Sequence, residues 1–170
     1  MPSNQLKTWL DENNIKYFTI RHSKAYTSQE IAASVHVSGK NFAKTVVVKI
    51  DGKMALFVLP ASFKIDFGML GTIFRKENLT LANESEFKYV FPDCEVGAMP
   101  PFGNLYGLDV YVAKTLSEDD EICFNACSHS EIIKMKYKDF EKLVKPKILK
   151  FSAKAVSFPA DPSERWEMDY

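Results

Sequence analysis

An Asp51-Gly52 pair stands between two apolar runs, Lys44 to Ile50 and Lys53 to Leu59. Asp and Gly both tolerate positive φ, so two strand-like runs joined by that pair predict a tight antiparallel hairpin. No other stretch limits the possible folds as strongly. Within it, Val46-Val47-Val48 shows no polar alternation. That is the pattern of a strand covered on both faces, which belongs in the middle of a sheet.

Other elements group around this hairpin. Leu6, Trp9 and Leu10 share helical spacing and predict a helix from Asn4 to Glu12, with Ser3 as its cap. Tyr17 to Ile20 reads as a short strand. Thr27-Ser28-Gln29-Glu30 has the spacing of a capping box and opens a second helix through Val35. Further strands are expected at Leu105 to Val112 and Ile122 to Asn125. A helix is expected over Tyr137 to Val144, ending before Pro146. Intermixed strands and helices with one clear hairpin predict a single α+β domain built on a mixed sheet with flanking helices. Residues 1–146 carry these elements. Residues 147–170 read as a C-terminal extension that either packs back through Phe151, Phe158 and Trp166 or stays a free tail.

At 170 residues the chain is long enough for one sizeable core. No run approaches the roughly 20 apolar residues that cross a bilayer, and the first residues lack the apolar centre of a secretory signal. Membrane association is therefore not expected. Lys plus Arg and Asp plus Glu both number 22, so a nucleic-acid surface has to be a local patch. Cys94, Cys123 and Cys127 give an odd count with no framework of pairs, as in a reducing cytosol.

Few residues suggest familiar chemistry. Cys123 and Cys127 are four apart, but no second ligand pair follows at structural-zinc spacing, so no metal or other cofactor is expected. A thiol nucleophile, Cys127 with His22, His36 or His129, is conceivable but nothing in the spacing brings such a pair together. Two segments are more unusual. Lys44 begins an apolar strand, where it either snorkels to the surface or serves as a placed cation. In Val96-Gly97-Ala98-Met99-Pro100-Pro101-Phe102-Gly103, two glycines flank two prolines. Such a stiff loop either presents backbone N–H groups to a ligand or simply turns the chain.

These segments also carry a resemblance. His22-Ser23-Lys24-Ala25-Tyr26-Thr27-Ser28-Gln29-Glu30, Phe42-Ala43-Lys44-Thr45-Val46-Val47-Val48, Val58-Leu59-Pro60-Ala61 and Gly97-Ala98-Met99-Pro100-Pro101 resemble, in order, motifs of the YbaK/prolyl-tRNA-synthetase-associated editing domain family. The resemblance covers residues 14 to 146 and implies a partly barrel-like sheet. It implies a trans-editing deacylase that hydrolyses mischarged aminoacyl-tRNA in the cytoplasm, acting on a small amino acid such as Ala or Cys on proline tRNA. The implied partners are aminoacyl-tRNA and an aminoacyl-tRNA synthetase, not DNA. The implied catalytic group is Lys44 with Gly97, Ala98, Met99, Pro100 and Pro101. The implied substrate contacts are His22, Tyr26, Thr27, Thr45, Gly103, Asn125, Ser128 and His129. Two positions depart from the family's tendencies: Ala113 stands where Asp is common, and Cys127 where Gly is common. Two other readings are a noncatalytic module that holds tRNA or a synthetase, and a cysteine hydrolase using Cys127 or Cys94.

A basic run offers one candidate surface for RNA. Residues 134–154 contain eight lysines against Asp139 and Glu141, a formal +6, whereas residues 155–170 carry four acids and one arginine, a formal −3. Lys142, Lys145 and Lys147 are the candidate phosphate contacts. A solvated surface is the competing reading of the same run.

Overall fold

The fold was obtained as a computed structural model, which describes residues 2–21, 41–75 and 78–154. The chain opens with helix α1 (Pro2–Glu12) and strand β1 (Tyr17–Arg21). The helix begins at Pro2, so Ser3 lies inside it and not before it. A proline suits a first helical turn because its missing N–H would have no intrahelical partner there. Leu6 and Leu10 are buried, and Trp9 packs edge-on to Phe102 with ring centroids 5.6 Å apart. The helix expected from Thr27 to Val35 lies outside the described residues.

The hairpin forms as the sequence dictates. β2 (Ala43–Ile50) and β3 (Lys53–Pro60) pair antiparallel from Ala43 with Pro60 to Ile50 with Lys53. Asp51 at φ 50° and Gly52 at φ 85° make the two-residue turn. Both angles are positive, as the preferred hairpin turn requires.

Beyond it come β4 (Phe63–Ile65), α2 (Phe67–Phe74), β5 (Leu79–Leu81) and α3 (Glu84–Phe87). A 3₁₀ turn (Gly103–Leu105) leads to β6 (Asp109–Ala113), α4 (Lys114–Ser117), β7 (Glu121–Ser128) and β8 (Glu131–Lys136). Helix α5 (Tyr137–Val144), β9 (Lys147–Leu149) and β10 (Ser152–Lys154) complete the described chain.

The main sheet runs β5-β2-β3-β6-β9, with the β3–β6 and β6–β9 pairs parallel. A second sheet runs β1-β8-β7, and β10 pairs with β4. The architecture is α+β with mixed sheets. Among the described residues the sheets do not close, although a parallel bridge from Phe42 to Cys123 joins the start of β2 to β7.

Both faces of the main sheet are covered, as the Val46–Val48 run requires. Val47, Leu56, Val58, Val110 and Val112 face a core shared with α1, β7, β8 and α5. Val46, Val48, Phe57, Leu59 and Tyr111 face a second core that includes Leu70 of α2 and Phe151. Ala113 belongs to this second core and is almost fully buried. Phe151 stands edge-on to Phe57 at 5.1 Å, so residues 147–154 pack back through that ring.

Two expectations differ in extent. The strand expected at Leu105 to Val112 begins only at Asp109. Gly103 O accepts the N–H of both Tyr106 and Leu108, and Gly107 sits at φ 71°, so the chain is still turning there. The strand expected to end at Asn125 continues to Ser128. Asn125 pairs with Ile132 and Ser128 with Glu131, which leaves Ala126 and Cys127 as a bulge without partners on β8.

Candidate active site

Lys44 sits near the start of β2, opposite Leu59 and only 7% exposed. Its placement follows from strand periodicity. It shares a face with Phe42, whose bridge to Cys123 joins the two sheets. Backbone bonds from Ala61 N to Phe42 O (2.7 Å) and from Cys123 N to Asn41 O (3.1 Å) fix this corner. Asn125 stands two residues beyond Cys123 on β7, just as Lys44 stands two beyond Phe42 on β2. Both therefore lie on the side of their strands that the bridge brings together. Asn125 is 5% exposed, and its Oδ1 has no hydrogen-bond partner among the described residues. A buried amide oxygen in that state is available to an incoming donor. Thr45, the next residue along β2, is half-buried.

The glycine-proline loop is built against the β7 bulge. Glu95 N donates to Cys127 O at 3.0 Å, and the Glu95 carboxylate accepts the backbone N–H of His129 at 3.0 Å. His129 Nε2 lies 2.6 Å from Val96 O. A carbonyl oxygen only accepts, so Nε2 carries the hydrogen. Ala98 N closes a turn onto Glu95 O at 3.0 Å. Gly97 adopts φ 83°, and a Cβ there would meet His129 Cε1 at 3.4 Å. Gly97 itself is exposed, while Ala98, Met99, Pro100 and Pro101 are buried behind it. Met99 joins the main core.

The cysteines depart from the expectation of unpaired thiols. Cys94 and Cys127 form a disulfide with Cα atoms 4.3 Å apart, and Cys123 is the free cysteine. Cys123 is buried, and that burial pushes its thiol up to about 11. With Cys94 and Cys127 bonded to each other and the Cys123 thiol held protonated, no cysteine serves as a nucleophile in this state. Among the described residues, no group of three His, Cys, Asp or Glu side chains could hold a metal ion.

Other sequence candidates lie elsewhere. Gly103 is buried, and a Cβ there would come within 2.6 Å of Val110 Cγ2 and 2.7 Å of Leu108 O. Packing alone thus requires that glycine. Ser128 Oγ pairs with Ser130 Oγ at 2.9 Å and accepts Ser130 N, which shapes the β7–β8 turn. His22, Tyr26 and Thr27 fall outside the described residues. Lys142, Lys145 and Lys147 are all exposed, at the end of α5, just after it and at the start of β9. Tyr137 and Phe140 anchor the opposite face of α5 in the core. The sequence reading missed Glu95 and the Cys94–Cys127 pair. Nothing in local spacing marks contacts made 33 or 34 residues apart.

The α+β scaffold thus carries a buried lysine at a sheet junction and a glycine loop braced against the β7–β8 turn. Residues 22–143 match the model of the aminoacyl-tRNA editing domain, and the chain belongs to that family. No curated protein matches the sequence. Among solved structures, hypothetical protein APE2540 superposes with a TM-score of 0.78 at 16% identity, covering 88% of this chain and 99% of that one. A candidate trans-editing enzyme for prolyl tRNA synthetase gives 0.76 at 17% identity, covering 89% of this chain and 97% of that one. A candidate signal transduction protein from Marinobacter aquaeolei VT8 gives 0.68 at 14% identity, with 88% of this chain matching 30% of that one. These likenesses establish the fold. Among the described residues, no helix is long and apolar enough to cross a membrane.

Proposed function

We propose that the chain hydrolyses the ester bond of mischarged aminoacyl-tRNA in the cytoplasm, as a trans-editing deacylase. The observation that carries this reading is the loop at Gly97, held open to solvent by Glu95 and His129 in a chain of the editing-domain family. A synthetase pocket discriminates against a smaller amino acid by only about 1–3 kcal/mol, so a second hydrolytic site has a physical purpose.

In this reading water attacks the ester carbonyl with help from the neighbouring ribose hydroxyl. The protein supplies position and electrostatics. Lys44 holds the terminal phosphate or ribose. The loop stabilises the developing oxyanion, and its chemistry narrows the donors. Pro100 and Pro101 have no N–H, and Ala98 N is engaged by Glu95 O. Gly97 N and Met99 N are the amides the segment can offer. Asn125 Oδ1 accepts from the substrate's amino group, a role supported by its burial without a hydrogen-bond partner among the described residues. Thr45, Ser128 and His129 shape the surroundings, and His22, Tyr26 and Thr27 join them by resemblance. Lys142, Lys145 and Lys147 contact acceptor-stem phosphates.

One structural relative is a candidate trans-editing enzyme for prolyl tRNA synthetase, so proline tRNA is the first substrate to test and a synthetase the first protein partner. The experiment is a deacylation panel: tRNA charged with Ala, Cys, Ser, Thr or Pro, with and without the protein. Selective loss of Ala or Cys from proline tRNA supports the proposal. Binding of the charged tRNA without hydrolysis would make the chain a noncatalytic module instead.

A further inference from the structure

We infer that Cys94 and Cys127 form a reversible dithiol–disulfide clamp that sets how firmly the Glu95–Ala98 loop is held against the β7–β8 turn. The argument begins with Cys127. It lies in the β7 bulge at φ 66°, a left-handed conformation that a Cβ disfavours relative to glycine. Backbone geometry alone would therefore favour glycine there. The side chain present instead places its sulfur on Cys94, the residue immediately before the loop.

Three hydrogen bonds tie the loop to the same turn: Glu95 N to Cys127 O, Glu95 carboxylate to His129 N, and Val96 O to His129 Nε2. The sulfur link thus fastens the end of the segment that precedes Glu95, beside these three hydrogen bonds to the turn. Opening it leaves those bonds in place but frees the chain at Cys94, so the loop loosens without the fold being lost.

The two sulfurs differ in access, which gives exchange a direction. Cys94 is only partly buried, whereas Cys127 is 3% exposed. Tyr106 Oη lies 3.7 Å from Cys94 Sγ, close enough to donate to a thiolate. The oxidant is a low-molecular-weight disulfide such as oxidised glutathione. Cys94 thiolate attacks it, forming a mixed disulfide and releasing one small thiolate. Cys127 thiolate then attacks Cys94 Sγ and releases the second. Two protein thiols lose two electrons and two protons, one small disulfide becomes two small thiols, and the reverse sequence reopens the clamp. Cys123 stays outside the exchange because it is buried with its thiol protonated.

The consequence for activity rests on the deacylase reading above: the closed clamp holds Gly97 and Met99 amides in place, and reduction slows turnover. The test equilibrates the protein in glutathione buffers from fully reduced to oxidised. It maps disulfides by mass spectrometry, follows backbone hydrogen exchange over residues 95–98, and measures deacylation on the same samples. A Cys94–Cys127 link should form with Cys123 still a thiol. Exchange over 95–98 should slow about tenfold on closure, and deacylation should rise about threefold to tenfold. Cys94→Ser should show the reduced behaviour in every buffer. Alkylation of both cysteines across the whole range, a link through Cys123, or unchanged exchange over 95–98 on closure would overturn the clamp. Slowed exchange with unchanged deacylation would overturn its control of the site. A chain that deacylates nothing in either state would sink the deacylase reading alone, because the thiol map and the exchange rates still decide the clamp.

Discussion

The β2–β3 hairpin and the Glu95–His129 junction both hold two stretches of chain against each other, by opposite means. The hairpin closes over two residues, in unbroken register from Ala43 to Pro60. Everything it needs is local: β-branched residues, an Asp-Gly turn and period-2 side chains. The junction joins residues 33 and 34 apart through a carboxylate, an imidazole and two cysteines, across a bulge. Its geometry depends on the β7–β8 pair already being formed. Each region supplies half of the candidate site, Lys44 from the hairpin and the Gly97 backbone from the junction. The rigid half should therefore fail by chemistry when mutated, and the other half by geometry.

The largest expected effect falls on Lys44. Lys44→Ala removes a charge that the hairpin holds in position. Deacylation should fall by about 100-fold or more, the range seen when one placed electrostatic group is lost. The register of the hairpin lies in its backbone, so far-UV circular dichroism should be unchanged. Turnover equal to the parent's would remove Lys44 from the site. A collapsed fold would show instead that the lysine is structural, and the contrast between the two halves would weaken.

Gly97 tests the other half. A Cβ there meets His129 Cε1 at 3.4 Å, an ordinary contact, so space is not the obstacle. The obstacle is φ 83°, which a β-branched residue adopts with difficulty. Gly97→Val should lower kcat by about tenfold, as a strained loop moves its amides away from the oxyanion. Gly97→Asn separates the causes, since asparagine tolerates positive φ far better. It should keep most of the lost activity. Equal damage from both would mean that any side chain at 97 blocks substrate, and that backbone angle is not what matters.

This contrast also explains what the sequence could disclose. The hairpin, the helix at Tyr137 to Val144 and the double burial of Val46-Val47-Val48 were legible because each rests on neighbours in sequence. Helix α2 was not, because Phe67-Gly68-Met69-Leu70-Gly71 has poor helix propensity. It forms with Asp66 capping Met69 N at 3.1 Å and Leu70 buried against the second core. The start of β6 was misjudged because Leu105 looks strand-like until Gly103 and Gly107 turn the chain. Lys44 and the 97–101 loop entered as candidates through family likeness. Their braces, Glu95 and the Cys94–Cys127 pair, were not, because contacts between distant segments leave no periodic trace.

The smallest expected effect lies outside both halves, on the lysines beyond them. Lys142, Lys145 and Lys147 are exposed and project from the end of α5 and the start of β9. Exposed cations toward phosphate add affinity through counterion release and carry no information about the ester. Replacing all three with Gln should therefore leave kcat alone and raise KM for aminoacyl-tRNA about threefold to tenfold at low salt. The slope of log KM against log salt should become shallower, by about 0.7–0.9 for each phosphate contact removed. Such a split would sharpen the comparison, since Lys44→Ala and Gly97→Val act on turnover and this variant acts on capture. An unchanged KM with an unchanged salt slope would mean that the basic run is a solvated surface, and the acceptor stem would then have to be held by some other part of the chain.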